Sequence, residues 1–249
     1  VFAYARPKNY GPVLGLIIVA DGIGGHKAGE VASQMAIETI YSSLKYYLES
    51  DQSEATLPTD DSEASLAGKY SQLANKLRAA VENANNAIHN HAQENPEEAG
   101  NLGSTVTCAI IQGNQMVVAN VGDSRAYLFH NGELEQITED HSYVAELIKQ
   151  GLARPDAVYN HPHRNVITRS LGYESEVEID IYTCSLEADD RILICSDGLW
   201  EMIIEKNEIA ELMNGRRDIQ KAAQALIARA NEYGGGDNIG VALAELIDV

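Results

Sequence analysis

The chain has 249 residues, enough for one large domain with a sizeable core, and its 45% hydrophobic and 22% charged content is that of a soluble globular protein. A net charge of −19 excludes general binding to nucleic acid or to anionic membrane, both of which need clustered lysine and arginine. No apolar run reaches membrane-spanning length. The three cysteines (Cys108, Cys184 and Cys195) lack zinc spacing and read as buried free thiols of a reducing, cytoplasmic protein.

Residues 1–5 read as a short strand, 6–12 as a turn and 13–19 as a second strand. Helical spacing over residues 28–48 puts Val31, Met35, Ile37, Ile40, Leu44 and Leu48 toward one side. Residues 49–65 are polar and acidic and read as a solvated insertion. A second long helix carries Leu66, Tyr70, Leu73, Leu77, Val81, Ala84 and Ile88 at three- and four-residue steps and ends by Pro96. The period then changes to two. Strands over 104–111, 115–121, 125–129 and 133–137, with turns at Gly113-Asn114 and Asn131-Gly132, predict one antiparallel meander.

Residues 142–172 are irregular, with a short helical pattern at Val144, Leu147 and Ile148. Strand signals resume at 177–184, and 191–196 is apolar on both faces, as a central strand is. Two helical patterns (207–213 and 218–231) precede a last strand at 239–246. Helices thus come in pairs between groups of strands. The simplest packing is an α+β fold: a four-layer α/β/β/α sandwich of two antiparallel sheets flanked by helix pairs.

Four aspartates recur at strand ends. Asp21 follows the apolar run 14–19, Asp123 stands in Gly122-Asp123-Ser124, Asp197 in Ser196-Asp197-Gly198, and Asp237 in Gly236-Asp237-Asn238 before the last strand. Any one Asp-Gly is first a turn signal. Four that converge, with no lysine or arginine within the motifs, repel one another unless a cation joins them. Carboxylates with backbone oxygens and water are hard ligands suited to magnesium, manganese or calcium. A pair of such ions about 3.5–4 Å apart is the common device of phosphate-ester hydrolysis. The glycines at 22–25 do not form a nucleotide loop, since neither its lysine nor Gly-x-Gly-x-x-Gly is present.

The ordered set Ala20-Asp21-Gly22-Ile23-Gly24-Gly25-His26, Gly103-Ser104-Thr105, Asn120-Val121-Gly122-Asp123-Ser124-Arg125, Thr138-Glu139-Asp140-His141, Ile167-Thr168-Arg169-Ser170-Leu171-Gly172, Ser196-Asp197-Gly198-Leu199-Trp200 and Gly236-Asp237-Asn238 resembles the bacterial metal-dependent serine/threonine phosphatases of type 2C (the PPM family). The resemblance covers essentially the whole chain and implies the same four-layer fold, as a single domain over residues 1–249 with a flap at 142–172. It implies two or three Mn2+ or Mg2+ ions. Asp21 bridges two of them, the Gly22 carbonyl adds a ligand, Asp197 and Asp237 complete the binuclear site, and Asp123 joins Asp197 around a third. Asn238 orients the attacking water, which cleaves phosphoserine or phosphothreonine in proteins in line and without a phosphoenzyme.

Ile23 stands where many eukaryotic members carry a histidine, so protonation of the leaving group falls to metal-bound water or to His26. In the flap, His161, Arg164 and Arg169 are candidate substrate contacts, beside His163, while His141 reads as a structural hydrogen-bonder. The resemblance further implies a monomer that opposes Ser/Thr kinases on phosphorylated protein substrates. The family's first strand, with a phosphate-binding arginine and an Asn-x-Asp element, is absent from this sequence and is expected upstream of residue 1. The alternatives are a catalytically impaired pseudophosphatase or regulatory binding module of the same fold, a stress-response type of regulatory phosphatase, and a calcium-stabilised structural domain.

Overall fold

The computed structural model describes residues 1–5, 14–24, 26–50, 63–96, 102–215 and 218–247; the expected turn at 6–12, most of the acidic stretch 49–65 and the side chains of His26 and Leu66 lie outside them. The strands in chain order are β1 (Phe2–Ala5), β2 (Leu14–Val19), β3 (Gly22–Ile23), β4 (Gly103–Ser104), β5 (Val106–Gln112), β6 (Gln115–Val121), β7 (Arg125–His130), β8 (Glu133–Gln136), β9 (Asp180–Ser185), β10 (Arg191–Cys195) and β11 (Val241–Glu245). The helices are α1 (His26–Glu49), α2 (Glu63–Glu94), α3 (Tyr143–Lys149), α4 (Ala157–Asn160), α5 (Asp197–Trp200), α6 (Lys206–Asn214) and α7 (Ile219–Glu232).

Two antiparallel sheets form the centre, one ordered β1-β2-β5-β6-β9 and the other β11-β10-β7-β8. Strand alternation explains the layering. In β2, Ile17 and Val19 face the other sheet and meet Ala126, Ile192 and Ile194. Leu16 and Ile18 face outward and meet the long helices, where Ala36, Ile40, Leu77 and Val81 pack. On the other side Leu193 and Cys195 of β10 meet Ile209 and Met213 of α6 and Leu226 of α7. All of β10 is buried, as its two-sided apolar pattern requires. Each fully buried leucine or isoleucine of this kind contributes about 1.5–3 kcal/mol of transfer free energy. The four expected layers are therefore present.

Four details differ from the sequence reading. The predicted meander is split. β5 and β6 belong to one sheet and β7 and β8 to the other, and Gly122-Asp123-Ser124 carries the chain across. β9 begins at Asp180 rather than at 177. Its partner β6 offers Asn120 opposite Asp180 and then turns away, so the residues before Asp180 have no ladder to join. Val31 is 39% exposed, and Ala32 and Ala36 take the buried stripe of α1 instead. Of the three free thiols, Cys108 and Cys195 are buried, but Cys184, on the edge strand β9, is half-buried.

The segment 142–172, expected above to form a flap, begins at Ser142, whose Oγ accepts from the Ala145 N–H and caps α3. It returns through bridges of Ser142 with Ile167 and of Ser104 with Leu171.

Candidate active site

Asp21 follows β2 with its main chain held from both sides. Its carbonyl accepts from the Thr105 N–H at 2.8 Å and from Ser104 Oγ at 3.0 Å, and its N–H donates to Thr105 Oγ1 at 3.1 Å. The next residue must be glycine: a Cβ on Gly22 would lie 2.0 Å from the Gly29 carbonyl of α1. The loop therefore lies directly on the helix that follows it.

Asp197 opens α5 immediately after β10. A Cβ on Gly198 would lie 2.2 Å from the Asn238 carbonyl, so this turn and the loop before β11 meet backbone to backbone. Ser196 Oγ strengthens the junction by donating to the Asn238 carbonyl (3.2 Å) and accepting from the Gly240 N–H (2.9 Å). Asp237 is drawn to the same end of the sandwich, where its Oδ1 accepts from the Asn238 N–H at 2.7 Å. Asp123 arrives from the crossover between the sheets. Its carboxyl is buried, and its carbonyl accepts from Trp200 Nε1 at 3.0 Å.

The carboxyl groups of Asp21 and Asp197 lie close enough for each to perturb the ionisation of the other. Burial first, then the charge and proximity of Asp197, then the charge of Asp237, push Asp21 up to about 7. Asp197 is raised by burial and by the charge of Asp237, against the opposing effect of the neighbouring Asp21. Asp123 is held well above the usual carboxylate range by burial and by the charges of Asp197 and Asp140. Asp197 Oδ1 is buried with no hydrogen-bond partner among the described residues. Leaving such an acceptor unmet costs about 1–3 kcal/mol, and more for a charged group. Like charges gathered in a partly desolvated cleft around an unmet oxygen fit a hard divalent cation.

Among the described residues, no three carboxylate, histidine or cysteine side chains stand close enough to enclose an ion by themselves. A coordination shell here needs backbone carbonyls and water as well. A cavity of about 770 Å³ opens beside the pair and is lined by Asp21, Gly22, Glu30, Ser33, Asp237 and Asn238.

The structure thus brings together Asp21, Gly22, Asp197, Asp237 and Asn238, with Asp123 behind them. Arg164 pairs at 3.5 Å with Glu201, whose carboxyl is raised by burial and by the charges of Asp197 and Asp237. Arg169 is directed elsewhere, to Glu178 at 2.8 Å and Asp180 at 2.9 Å. His161 packs against Tyr143 (centroids 6.1 Å) and His163 (5.7 Å), within the flap. The His26 side chain lies outside the described residues.

Sequence reasoning missed Glu30, Ser33, Glu201 and Thr105. Glu201 lies four residues after Asp197, one helical turn, a spacing that becomes meaningful only once α5 is known. Thr105 stood in the Gly103-Ser104-Thr105 motif with no role of its own, and nothing in the local sequence marks Glu30 or Ser33.

Comparison with known proteins gives a consistent result. The profile described as Protein phosphatase 2C matches residues 7–232. The serine/threonine phosphatase stp of Listeria monocytogenes is 38% identical over 230 residues, 92% of this chain and 84% of that protein. The crystal structure of the Mycobacterium tuberculosis serine/threonine phosphatase PstP/Ppp superposes with a TM-score of 0.78 at 32% identity, covering 99% of this chain and 92% of that one. A structure of the PstP catalytic domain in complex with two manganese ions gives a TM-score of 0.75 at 32% identity, over 99% and 91% of the two chains.

Proposed function

The chain belongs to the protein phosphatase 2C family and is a serine/threonine phosphatase, and from that premise we propose that it hydrolyses phosphoserine and phosphothreonine in proteins at the Asp21–Asp197–Asp237 cluster. Its cations are Mn2+ or Mg2+, two or three in number. They are held by Asp21, Asp197 and Asp237 with the Gly22 carbonyl, and by Asp123 with Asp197. The observation that carries this reading is the juxtaposition of the half-buried carboxyls of Asp21 and Asp197, with one Asp197 oxygen left unmet.

Divalent cations bound there supply a water acidic enough to attack at neutral pH and positive charge for the phosphoryl oxygens. The chain's own groups do the rest. Asp21, raised to about 7, would give up its proton where a divalent cation is bound, leaving both carboxyls of the pair anionic. Asn238, anchored on the Asp237 carboxyl and the Ser196 hydroxyl, lines the cavity where it orients water.

Arg164 is the candidate to receive the substrate phosphate. Its guanidinium is partly exposed beside Glu201, and a planar fork of N–H donors matches phosphoryl oxygens. Glu201 orients it. Arg169, committed to two carboxylates, acts through the flap. Direct attack by water needs no protein nucleophile. In keeping with this, the hydroxyls of Ser196, Thr105 and Ser104 are engaged in the hydrogen bonds that hold the loops, and Ser33, which lines the cavity, donates to the Glu30 carbonyl at 3.2 Å. The substrates are phosphorylated proteins, the products of Ser/Thr kinases. The whole chain acts as one monomeric phosphatase domain in the cytoplasm, with residues 142–172 as the flap. No helix among the described residues is long and apolar enough to cross a membrane.

The test is Mn2+-dependent hydrolysis of p-nitrophenyl phosphate and of phosphothreonine peptides. Asp197→Ala and Asp237→Ala are each expected to lose at least about 100-fold, more than loss of an outer-shell partner costs. Turnover at the parent rate in either variant overturns the reading. A second reading is a binding module of the same fold without turnover. It predicts Mn2+ binding with no hydrolysis of any phosphopeptide.

A further inference from the structure

The crossover Gly122-Asp123-Ser124 has more hydrogen-bonded anchors than a connecting turn requires. Ser124 Oγ pairs with Thr105 Oγ1 at 2.9 Å, the Ser124 carbonyl accepts from Thr107 Oγ1 at 2.8 Å, and the Asp123 carbonyl accepts from Trp200 Nε1. These anchors come from β10's continuation and from the strand beside Asp21. One anchor comes from the opposite direction.

His141 is buried and grips Gly122 twice. Its N–H donates to the Gly122 carbonyl at 2.9 Å, and its Nδ1 accepts from the Gly122 N–H at 3.1 Å. With Nδ1 accepting, the ring proton is on Nε2 and points at Asp180 Oδ2, 3.2 Å away. Asp180 in turn holds Arg169 through its other oxygen at 2.9 Å, and the His141 carbonyl accepts from the Thr168 N–H at 2.9 Å. Thr168 and Arg169 belong to the returning limb of the flap.

We propose that His141 is a positioning residue for Asp123: it fixes the backbone in front of that carboxylate, and through Asp180 it makes the cation affinity at Asp123 depend on the seating of the flap. The inference rests on the reading of Asp123 as a cation ligand. An imidazole clamped between a ligand-bearing loop and a carboxylate is the arrangement by which outer residues orient a metal ligand, and its loss characteristically costs about 10- to 100-fold in metal affinity. Here the coupling would also be reciprocal: a cation at Asp123 would tighten the flap return by the same factor.

The experiment is calorimetric titration of chelator-stripped protein with Mn2+. It is paired with emission from Trp200, the only tryptophan, which holds the Asp123 carbonyl. Asp123→Asn identifies the binding event that belongs to Asp123. If no event is lost in Asp123→Asn, the reading of Asp123 itself fails. With that event identified, His141→Ala is expected to weaken it about 10- to 100-fold and to leave the other events in place. His141→Asn, whose amide oxygen restores an acceptor for the Gly122 N–H, is expected to recover most of the affinity. A parent-like event in His141→Ala, or an Asn variant no better than the Ala variant, overturns the proposal. Should His141→Ala fail to fold, Asp180→Asn carries the comparison. It is expected to weaken the same event about 10-fold, and an unchanged event in that variant counts equally against the proposal.

Discussion

At the scale of single residues, the account turns on carboxyl groups that the fold makes reluctant to ionise. Asp21, Asp123 and Asp197 all have folded-state pKa values raised above the ordinary carboxylate value of about 3.9, by burial first. The folded protein therefore binds more protons than the unfolded chain. Stability from these groups is whole below about pH 4 and falls as pH rises toward about 7, where Asp21 ionises. In metal-stripped protein, the melting temperature of Asp21→Asn minus that of the parent is expected to grow between pH 5 and pH 7.5. A difference that shrinks over that window contradicts the assignment. The four aspartates were legible because three close apolar runs ahead of a glycine or serine, and the fourth, Asp237, stands between a glycine run and Asn238 just before the last strand. That Asp197 leaves one oxygen unmet was not legible, since it depends on loops distant in sequence.

At the scale of elements, two short motifs meet across the crossover. Arg125, at the start of β7, makes a two-pronged ion pair with Asp140 (2.9 and 2.6 Å), both side chains being about 5% exposed, and its guanidinium lies 3.5 Å from the Trp200 ring centroid. Removing one partner of such a buried pair strands the other charge and costs about 3–5 kcal/mol. Asp140→Ala is expected to lose that much in urea denaturation, whereas replacing both Arg125 and Asp140 by apolar residues is expected to lose less. A single variant within about 0.5 kcal/mol of the parent, the range of ordinary surface substitutions, would show that the pair is not structural. Both motifs stood out in sequence, but their contact did not. The strands they flank read as one continuous meander, and periodicity cannot reveal that a chain changes sheets at Gly122. The late start of β9 has the same origin, because its partner strand ends where the crossover begins.

At the scale of the whole molecule, the paired order of helices and strands was enough to anticipate the layers. The two-sided burial of β2 and β10 shows why: alternate residues of one strand serve two different cores. The proposed site lies where β2, β10 and the crossover end on one side of that sandwich, so a cation bound there would stabilise the fold. Mn2+ at about 100 times its dissociation constant is expected to add about 2.7 kcal/mol of stability per site, reversed by a chelator. A melting temperature indifferent to both would contradict the linkage. The most direct test of the central claim is anomalous diffraction at the manganese edge from crystals grown with Mn2+. The account predicts peaks bounded by Asp21, Asp197 and Asp237, with a further peak against Asp123 that disappears in Asp123→Asn. Manganese bound elsewhere, with Asp197 touching no ion, would contradict it.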